Sequence, residues 1–330
     1  SNNPMAYQAG ADVIAYYTNG VDSGRVVNGV YSCWGVPVPL QQPTAAISAG
    51  NLPAGKYLYA LTFVRSDGLE GGTGLSGEIE LTTKSGIQFT GIEVSSNTEV
   101  TGKTLYLSTT NGEVLYRAQL LANATTTFLY KGDSLDLTTP LTTQFVSPPP
   151  AGHLIALYNG SLYVCTGNLA YQSDPYAYET FRIADKFMQF PGKITMFAGL
   201  NNSCWVSTDD ERVFHLRGDK IETMKSKEVD AGAAIPGTAV IATAAILAKT
   251  EASSGTGADE AGTVDSLVAM WASERGIYAG YDEGEAHNLT ETTYSYGTAP
   301  LGAAMVRLLR GYTQYVVTLK GAGSAQNAAS

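Results

Sequence analysis

Along most of this chain, apolar and polar positions alternate with a period of two, and short turns interrupt the alternation. One strand–turn–strand phrase returns in the second half. Residues 156–173 read ALYNGSLYVCTGNLAYQS, 204–218 read CWVSTDDERVFHLRG, and 268–280 read VAMWASERGIYAG. In each, a run carrying Tyr or Trp meets a short polar turn, and a second run with Tyr or Phe follows. Such alternation around Asn-Gly or Asp-rich turns predicts β-hairpins. Hairpins repeated at blade-like distances, with similar residues at matched offsets, predict radial repetition of the β-propeller kind.

The first part of the chain divides into two textures. In 1–40, AYYTNGVDSGRVVNGVYSCWG alternates strand-like runs with Asn-Gly and Asp-Ser-Gly turns, predicting propeller-like hairpins. Pro37-Val38-Pro39 begins an extended linker. In 41–150, AGKYLYALTFVRSDGLEGG, IQFTGIEV, KTLYLSTTNGEVLYRAQL and TTTFLYKG predict about six or seven short strands, with an Asn111-Gly112 hairpin turn. That is the rhythm of an immunoglobulin- or fibronectin-like β-sandwich. Pro148-Pro149-Pro150 can join no sheet and marks a boundary. Residues 151–320 return to propeller-like blades. Within them 238–249 reads as either a short helix or a buried strand, and 253–263 as a mobile loop. Residues 321–330 read as a frayed tail. The expected fold class is all-β: β-propeller-like blades with an inserted sandwich.

Composition sharpens this picture. The 36 glycines and the low charged fraction of 15% suit strands and turns better than helices. A formal charge of −10 argues against nucleic acid as a surface-bound partner, because phosphate binding needs clustered Lys and Arg. Cys33, Cys165 and Cys204 are odd in number, form no CxxC pair and sit in apolar runs, which predicts small buried thiols. No continuous apolar run approaches ~18 residues, so no membrane span is expected. The start, SNNPMAYQAG, has neither the basic region nor the apolar core of a signal peptide, and no initiator Met. A trimmed chain, or one whose first segment is missing, is expected.

Candidate chemistry is sparse. His153, His215 and His287 are far apart, and no HExxH, GxSxG or Walker pattern occurs, so they read as structural histidines. Asp209-Asp210-Glu211 and Asp282-Glu283-Gly284-Glu285 offer oxygens of the kind calcium takes, yet both fall where a hairpin must turn. Residues 273–278, SERGIY, are a distant echo of the Ser-x-Asp-x-Gly-x-x-Trp turn of sialidase propellers, lacking its Asp and Trp. Gly71-Gly72-Thr73-Gly74 looks like a phosphate loop but no helix follows it. Tyr163, Trp205, Trp271 and Tyr278 read as core aromatics between sheets. Asn123, Asn159, Asn201 and Asn288 begin Asn-x-Ser/Thr triplets at near-chance frequency. No catalytic, cofactor-binding or metal-ligating residue is assigned, and the expectation is a protein that is not an enzyme and carries no cofactor.

Several of these phrases resemble bacteriophage virion proteins. VIAYYTNGVDSGRVVNGVYSCWGVPVP resembles the segment such proteins carry before an inserted sandwich, and AGKYLYALTFVRSDGLEGGTG resembles the insert's first strands. HLIALYNGSLYVCTGNLAYQSDPYAYETF resembles the blade that follows, and MWASERGIYAG with HNLT resembles a later one. The resemblance covers about 12–320 and lies in structural phrases, not catalytic residues. It implies a tail propeller protein of the nozzle or tail-tubular kind, with a first blade and an Arg-rich hairpin upstream. The implied role is structural, in a phage tail or head-to-tail (neck, nozzle or tail tip) assembly. The implied partners are copies of itself in a ring and neighbouring tail or neck proteins, with DNA passing through unbound. The implied location is the virion, assembled in the bacterial host cytoplasm. A glycan-binding or glycan-degrading propeller for host recognition is the alternative.

Overall fold

Twenty-eight strands account for the regular structure of residues 6–9, 14–132, 135–244, 266–291, 299–310 and 312–321, which a computed structural model describes. The opening strands are β1 (Ala6–Ala9), β2 (Ile14–Thr18), β3 (Ser23–Val27) and β4 (Val30–Ser32). Then come β5 (Thr44–Leu52), β6 (Gly55–Arg65), β7 (Glu70–Thr73), β8 (Gly77–Leu81), β9 (Ser85–Thr90), β10 (Val100–Ser108), β11 (Leu115–Ala122), β12 (Thr127–Tyr130) and β13 (Asp136–Pro140). The second half opens with β14 (Leu154–Tyr158), β15 (Ser161–Thr166), β16 (Leu169–Asp174), β17 (Ala177–Phe181) and β18 (Phe187–Gln189). β19 (Ile194–Gly199), β20 (Ser203–Thr208), β21 (Val213–Arg217) and β22 (Lys225–Val229) follow. The series ends with β23 (Val240–Thr243), β24 (Leu267–Ser273), β25 (Gly276–Gly280), β26 (Ala286–Asn288), β27 (Gly302–Leu309) and β28 (Tyr312–Leu319). The fold is all-β, with propeller-like blades and an inserted sandwich.

Two compact units emerge: Ser1–Ser23 with Pro150–Tyr178 and Lys186–Ser330, and Gly24–Pro149 with Glu179–Asp185. The first crossing thus falls at 23/24, ahead of the linker expected near 40. The second coincides with the triple proline, and a return excursion adds 179–185 to the insert. Part of the reason is electrostatic: Arg25, Arg65 and Glu179 share one ion cluster within the inserted unit. The expected loop at 253–263 and the tail beyond 321 lie outside the described residues. Of 238–249, residues 238–244 are described, and Val240–Thr243 among them form strand β23.

In the propeller-like unit, β19-β20-β21-β22 and β23-β24-β25-β26 are four-stranded antiparallel meanders in chain order. β14-β15-β16 follows the same course, with β18 paired to β16. The first strands of successive sheets are neighbours: β1 with β14, β14 with β19, β19 with β23, and β23 with β27. Sheets arrayed through their first strands are the arrangement of propeller blades.

The core lies in the seams between these sheets, and the period-two pattern explains how one strand feeds two seams. All of β20 is buried. Its Cys204 and Val206 pack with Tyr163, Cys165 and Phe197 in one seam. Its Trp205 packs with Trp271 and Tyr278 in the next. β24 divides likewise: Ala269 and Trp271 face back toward Trp205, whereas Val268 and Met270 join Val306 and Tyr315 of the last hairpin. Strands buried on both faces read as near-continuous apolar runs, which is why the repeat phrases look so hydrophobic.

The inserted unit is a sandwich of nine strands, more than the spacing suggested. One sheet runs β13-β11-β10-β6-β7 with β8 also on β6, and the other runs β12-β9-β5. Tyr57, Tyr59, Leu61, Leu105 and Leu107 of the first sheet pack with Ile87, Phe89 and Tyr130 of the second. Asn28-Gly29 has both φ values positive, as a tight two-residue hairpin turn requires, and in the propeller-like unit Asn159-Gly160 does the same. Asn111 is also left-handed, but its loop is longer, because Ser108 pairs with Leu115. That loop docks on β6 through Asn111 N to Lys56 O (2.8 Å) and Lys56 N to Asn111 Oδ1 (2.9 Å).

Candidate functional site

His153 lies before β14 and its Nε2 contacts Ile194 O at 2.7 Å. His215, on β21, contacts Asp282 O through Nε2 at 3.1 Å and lies against Trp205. A carbonyl oxygen only accepts, so in both rings Nε2 carries the proton and donates. Burial pushes both histidines below their ordinary range. His287 is exposed, with Glu285 3.7 Å away. His215 and His287 both border the turn between β25 and β26, through Asp282 and Tyr281 respectively. Cys165 and Cys204 are buried in one seam, and burial raises both thiols, so neither is a ready nucleophile.

The two acidic clusters are structural ties. Asp282 follows β25 and receives four hydrogen bonds from the preceding blade. Asn202 N donates to both its carboxylate oxygens at 3.1 Å, Asn202 Nδ2 donates at 2.7 Å, and Ser203 Oγ donates at 2.6 Å. Burial would raise this carboxyl, but the bonds from Ser203 and Asn202 outweigh it and hold it below the ordinary range. Asp282 therefore clips one blade to the next. Asp209 Oδ1 accepts from Lys193 N at 2.8 Å and so ties the β20–β21 turn to the chain entering β19. Asp210 accepts from Thr208 Oγ1 and pairs with Arg212. Among the described residues, no group of three or more His, Cys, Asp or Glu side chains is placed to hold a metal ion.

Local packing also accounts for the two motif echoes. Ser273 Oγ donates to Gly276 O at 3.0 Å and accepts from Arg275 N at 3.0 Å, stapling the β24–β25 turn. In Gly71-Gly72-Thr73-Gly74, a Cβ on Gly72 would fall 1.8 Å from Val146 O, and one on Gly74 would fall 1.9 Å from Pro39 O. These glycines admit neighbouring backbone, and no phosphate cradle is needed to explain them.

Trp205 and Trp271 are both 0% exposed, and their ring centroids lie 5.8 Å apart. Trp205 Nε1 donates to Tyr281 O at 3.1 Å and Trp271 Nε1 to Gly232 O at 2.8 Å. Tyr278 stacks on Trp271 at 5.7 Å, and Tyr163 on Phe197 at 4.8 Å. Rings this buried and this well partnered are packing, not a ligand platform.

The inserted unit holds a charge cluster that the sequence does not advertise. Glu179 accepts from Arg25 Nη1 and, through both oxygens, from Arg65. Arg65 also reaches both oxygens of Asp67, and its side chain is only 2% exposed. Burial disfavours the Arg65 charge, but the bonds it donates to Glu179 and Asp67 outweigh that, so the guanidinium stays charged. The Arg65 bond holds Asp67 down at about 2. Glu99 accepts from Ser32 Oγ at 2.7 Å and Cys33 N at 2.8 Å, fastening the β3–β4 hairpin to the same unit. Arg65 and Glu179 are 114 positions apart, so no local spacing signals the pair.

Several large apolar side chains are exposed. In the inserted unit Val30, Tyr31, Leu40, Leu75 and Phe145 are exposed. In the propeller-like unit Tyr176 is 83% exposed, and Met305, Leu308 and Leu309 stand on the last hairpin.

No family model matches the chain, and no curated protein does. Among solved structures it is similar to the crystal structure of Saccharomyces cerevisiae Sqt1, at 10% identity over 86% of this chain and 92% of that one. The TM-score is 0.22, too low to carry an argument about fold or role.

Proposed function

We propose that this chain is a structural subunit of a bacteriophage tail or head-to-tail assembly, the neck, nozzle or tail tip, working through contacts with copies of itself and with neighbouring tail proteins. One observation carries the reading. The polar and aromatic residues that might have built a site are spent on joining blade to blade, as Asp282 and the Trp205–Trp271 seam illustrate. The phrases that resemble phage virion proteins support it too: they fall on β2–β4, β6–β7, β14–β17 and β24–β26, so they describe architecture. The net charge of −10 suits a conduit past which DNA slides without binding.

Mass spectrometry of purified particles from the phage that encodes the chain tests this. The expected result is several copies per particle, and loss of the gene should give filled or fillable heads that lack competent tails. Hydrolysis of a bacterial surface glycan that Asp209→Asn or Asp282→Asn abolishes, with the fold intact, would overturn the reading in favour of a glycan-degrading propeller.

A further inference from the structure

Asn-Gly occurs four times in the chain, at Asn19-Gly20, Asn28-Gly29, Asn111-Gly112 and Asn159-Gly160. The dipeptide that favours a tight turn is also chemically labile. The side-chain amide carbon of Asn is an electrophile close to the backbone nitrogen of the next residue, and Gly, with no Cβ, lets that nitrogen reach it. Whether the reaction runs depends on what holds the two groups.

Three of the four pairs are held. Asn19 Oδ1 accepts from Val21 N at 3.0 Å and from Asp22 N at 2.7 Å, and Gly20 N donates to Gly152 O at 2.6 Å. Asn111 Oδ1 accepts from Lys56 N at 2.9 Å, and Gly112 N donates to Thr109 O at 2.9 Å. Asn159 Nδ2 donates to Asp219 Oδ1 at 3.3 Å, and Tyr176 N donates to Gly160 O at 2.7 Å. The Tyr176 ring also lies over Gly160, 2.8 Å from where a Cβ would stand. Asn28-Gly29 is the exception. Both residues are exposed, and nothing lies within 4 Å of where a Cβ on Gly29 would stand. Among the described residues, no hydrogen bond holds the Asn28 side chain or the Gly29 amide.

Closing a five-membered ring through these atoms changes the backbone angles of the turn, so the hairpin must first open at its tip. The tip of β3–β4 is built to do so. β4 is an edge strand of three residues, with Val30 67% and Tyr31 62% exposed. Strand ends with little buried surface open at low free-energy cost. The base stays fixed, because Ser32 Oγ and Cys33 N donate to Glu99.

We propose that Asn28 is a self-modification site, at which the folded chain deamidates. The Gly29 nitrogen gives up its proton to water and bonds to Asn28 Cγ. The Cγ–Nδ2 bond breaks, and the nitrogen takes up a proton and leaves as ammonia. A succinimide remains, and water opens it at one carbonyl to give aspartate or at the other to give isoaspartate. Either product adds a negative charge beside Val30 and Tyr31. Isoaspartate also routes the main chain through an extra methylene, which a two-residue turn cannot absorb while keeping Val27 paired with Val30. The exposed tip of the inserted unit therefore changes covalently with age, while Glu99 keeps the hairpin's base in place. Water and the hairpin suffice; no partner is required.

Peptide mapping of the folded full chain, held in mildly alkaline buffer and sampled over time, provides the test. The expected result is a mass gain of about one dalton in the peptide holding Asn28, as both aspartate and isoaspartate, about tenfold or more faster than in any other Asn-Gly peptide. In urea the four rates should draw together, because the fold and not the dipeptide separates them. Asn28 reacting no faster than Asn111 or Asn159 in the folded chain would overturn the assignment. So would an unchanged lead for Asn28 after unfolding, which would place its cause in the local sequence.

Discussion

Trp205 and Trp271 carry the same offset in their repeat phrases, yet they are not equivalent. Trp205 faces the following blade, Trp271 faces the preceding one, and the two meet in a shared seam. Their membership of the core was readable from alternation. Their meeting was not, because a one-residue change of register moves a side chain to the other face of its strand. Gly280 makes the meeting possible: a Cβ there would lie 2.7 Å from the Trp205 ring and 2.9 Å from that of Trp271. We expect Trp205→Ala or Trp271→Ala to cost ~3–5 kcal/mol, through lost burial and the cavity left behind. Because the rings touch, the double variant should cost less than the sum of the singles. Gly280→Ala should also destabilise, since two packed indoles must give way. Urea unfolding measures all four. A Trp variant with unchanged stability would mean that the seam is not a packed core.

Among the elements, the hairpin β3–β4 and the segment 179–185 belong to the sandwich unit, although the linker composition near Pro37 suggested another division. Composition registers where backbone is stiff, whereas unit membership follows contacts that only the folded chain assembles. The cluster of Arg25, Arg65 and Glu179 is such a contact. Removing Glu179 leaves the buried Arg25 and Arg65 with only the half-exposed Asp67 as counter-charge, so Glu179→Leu should cost ~3–5 kcal/mol. Arg65→Met combined with Glu179→Leu should cost less than Glu179→Leu alone, because no buried charge is then stranded at position 65. Denaturant midpoints of the single and double variants give the answer; equal losses would assign the cluster to packing instead. A fragment restricted to 44–147 would lack both Arg25 and Glu179, and should be less stable than one that retains them.

Taken as one molecule, the chain carries two histidines, His153 half-buried and His215 buried, whose burial favours the neutral form. An unfolded histidine titrates near ~6.5, so below that pH the unfolded chain takes up protons that the folded chain refuses, and stability falls as pH drops. Melting temperatures should decline from about pH 6.5 downward, and the decline should flatten in His153→Gln with His215→Gln. Asp67 acts in a lower window: its pKa of about 2 means its stabilising ion pair persists above the unfolded value and is lost as pH falls through 2. A pH profile identical in the histidine double variant would assign acid sensitivity to the carboxylates alone. Alternation of period two, Asn-Gly turns and repeated phrases were enough to establish strands, hairpins and a repeating all-β architecture, because these follow from local sterics and from which side chains leave water. They could not say that Asp282 clips neighbouring blades, that Glu179 joins the sandwich unit, or that Met305 stands exposed. Those depend on residues far apart in sequence being brought within a few ångströms, and such distances are set by how whole sheets stack, not by any local spacing.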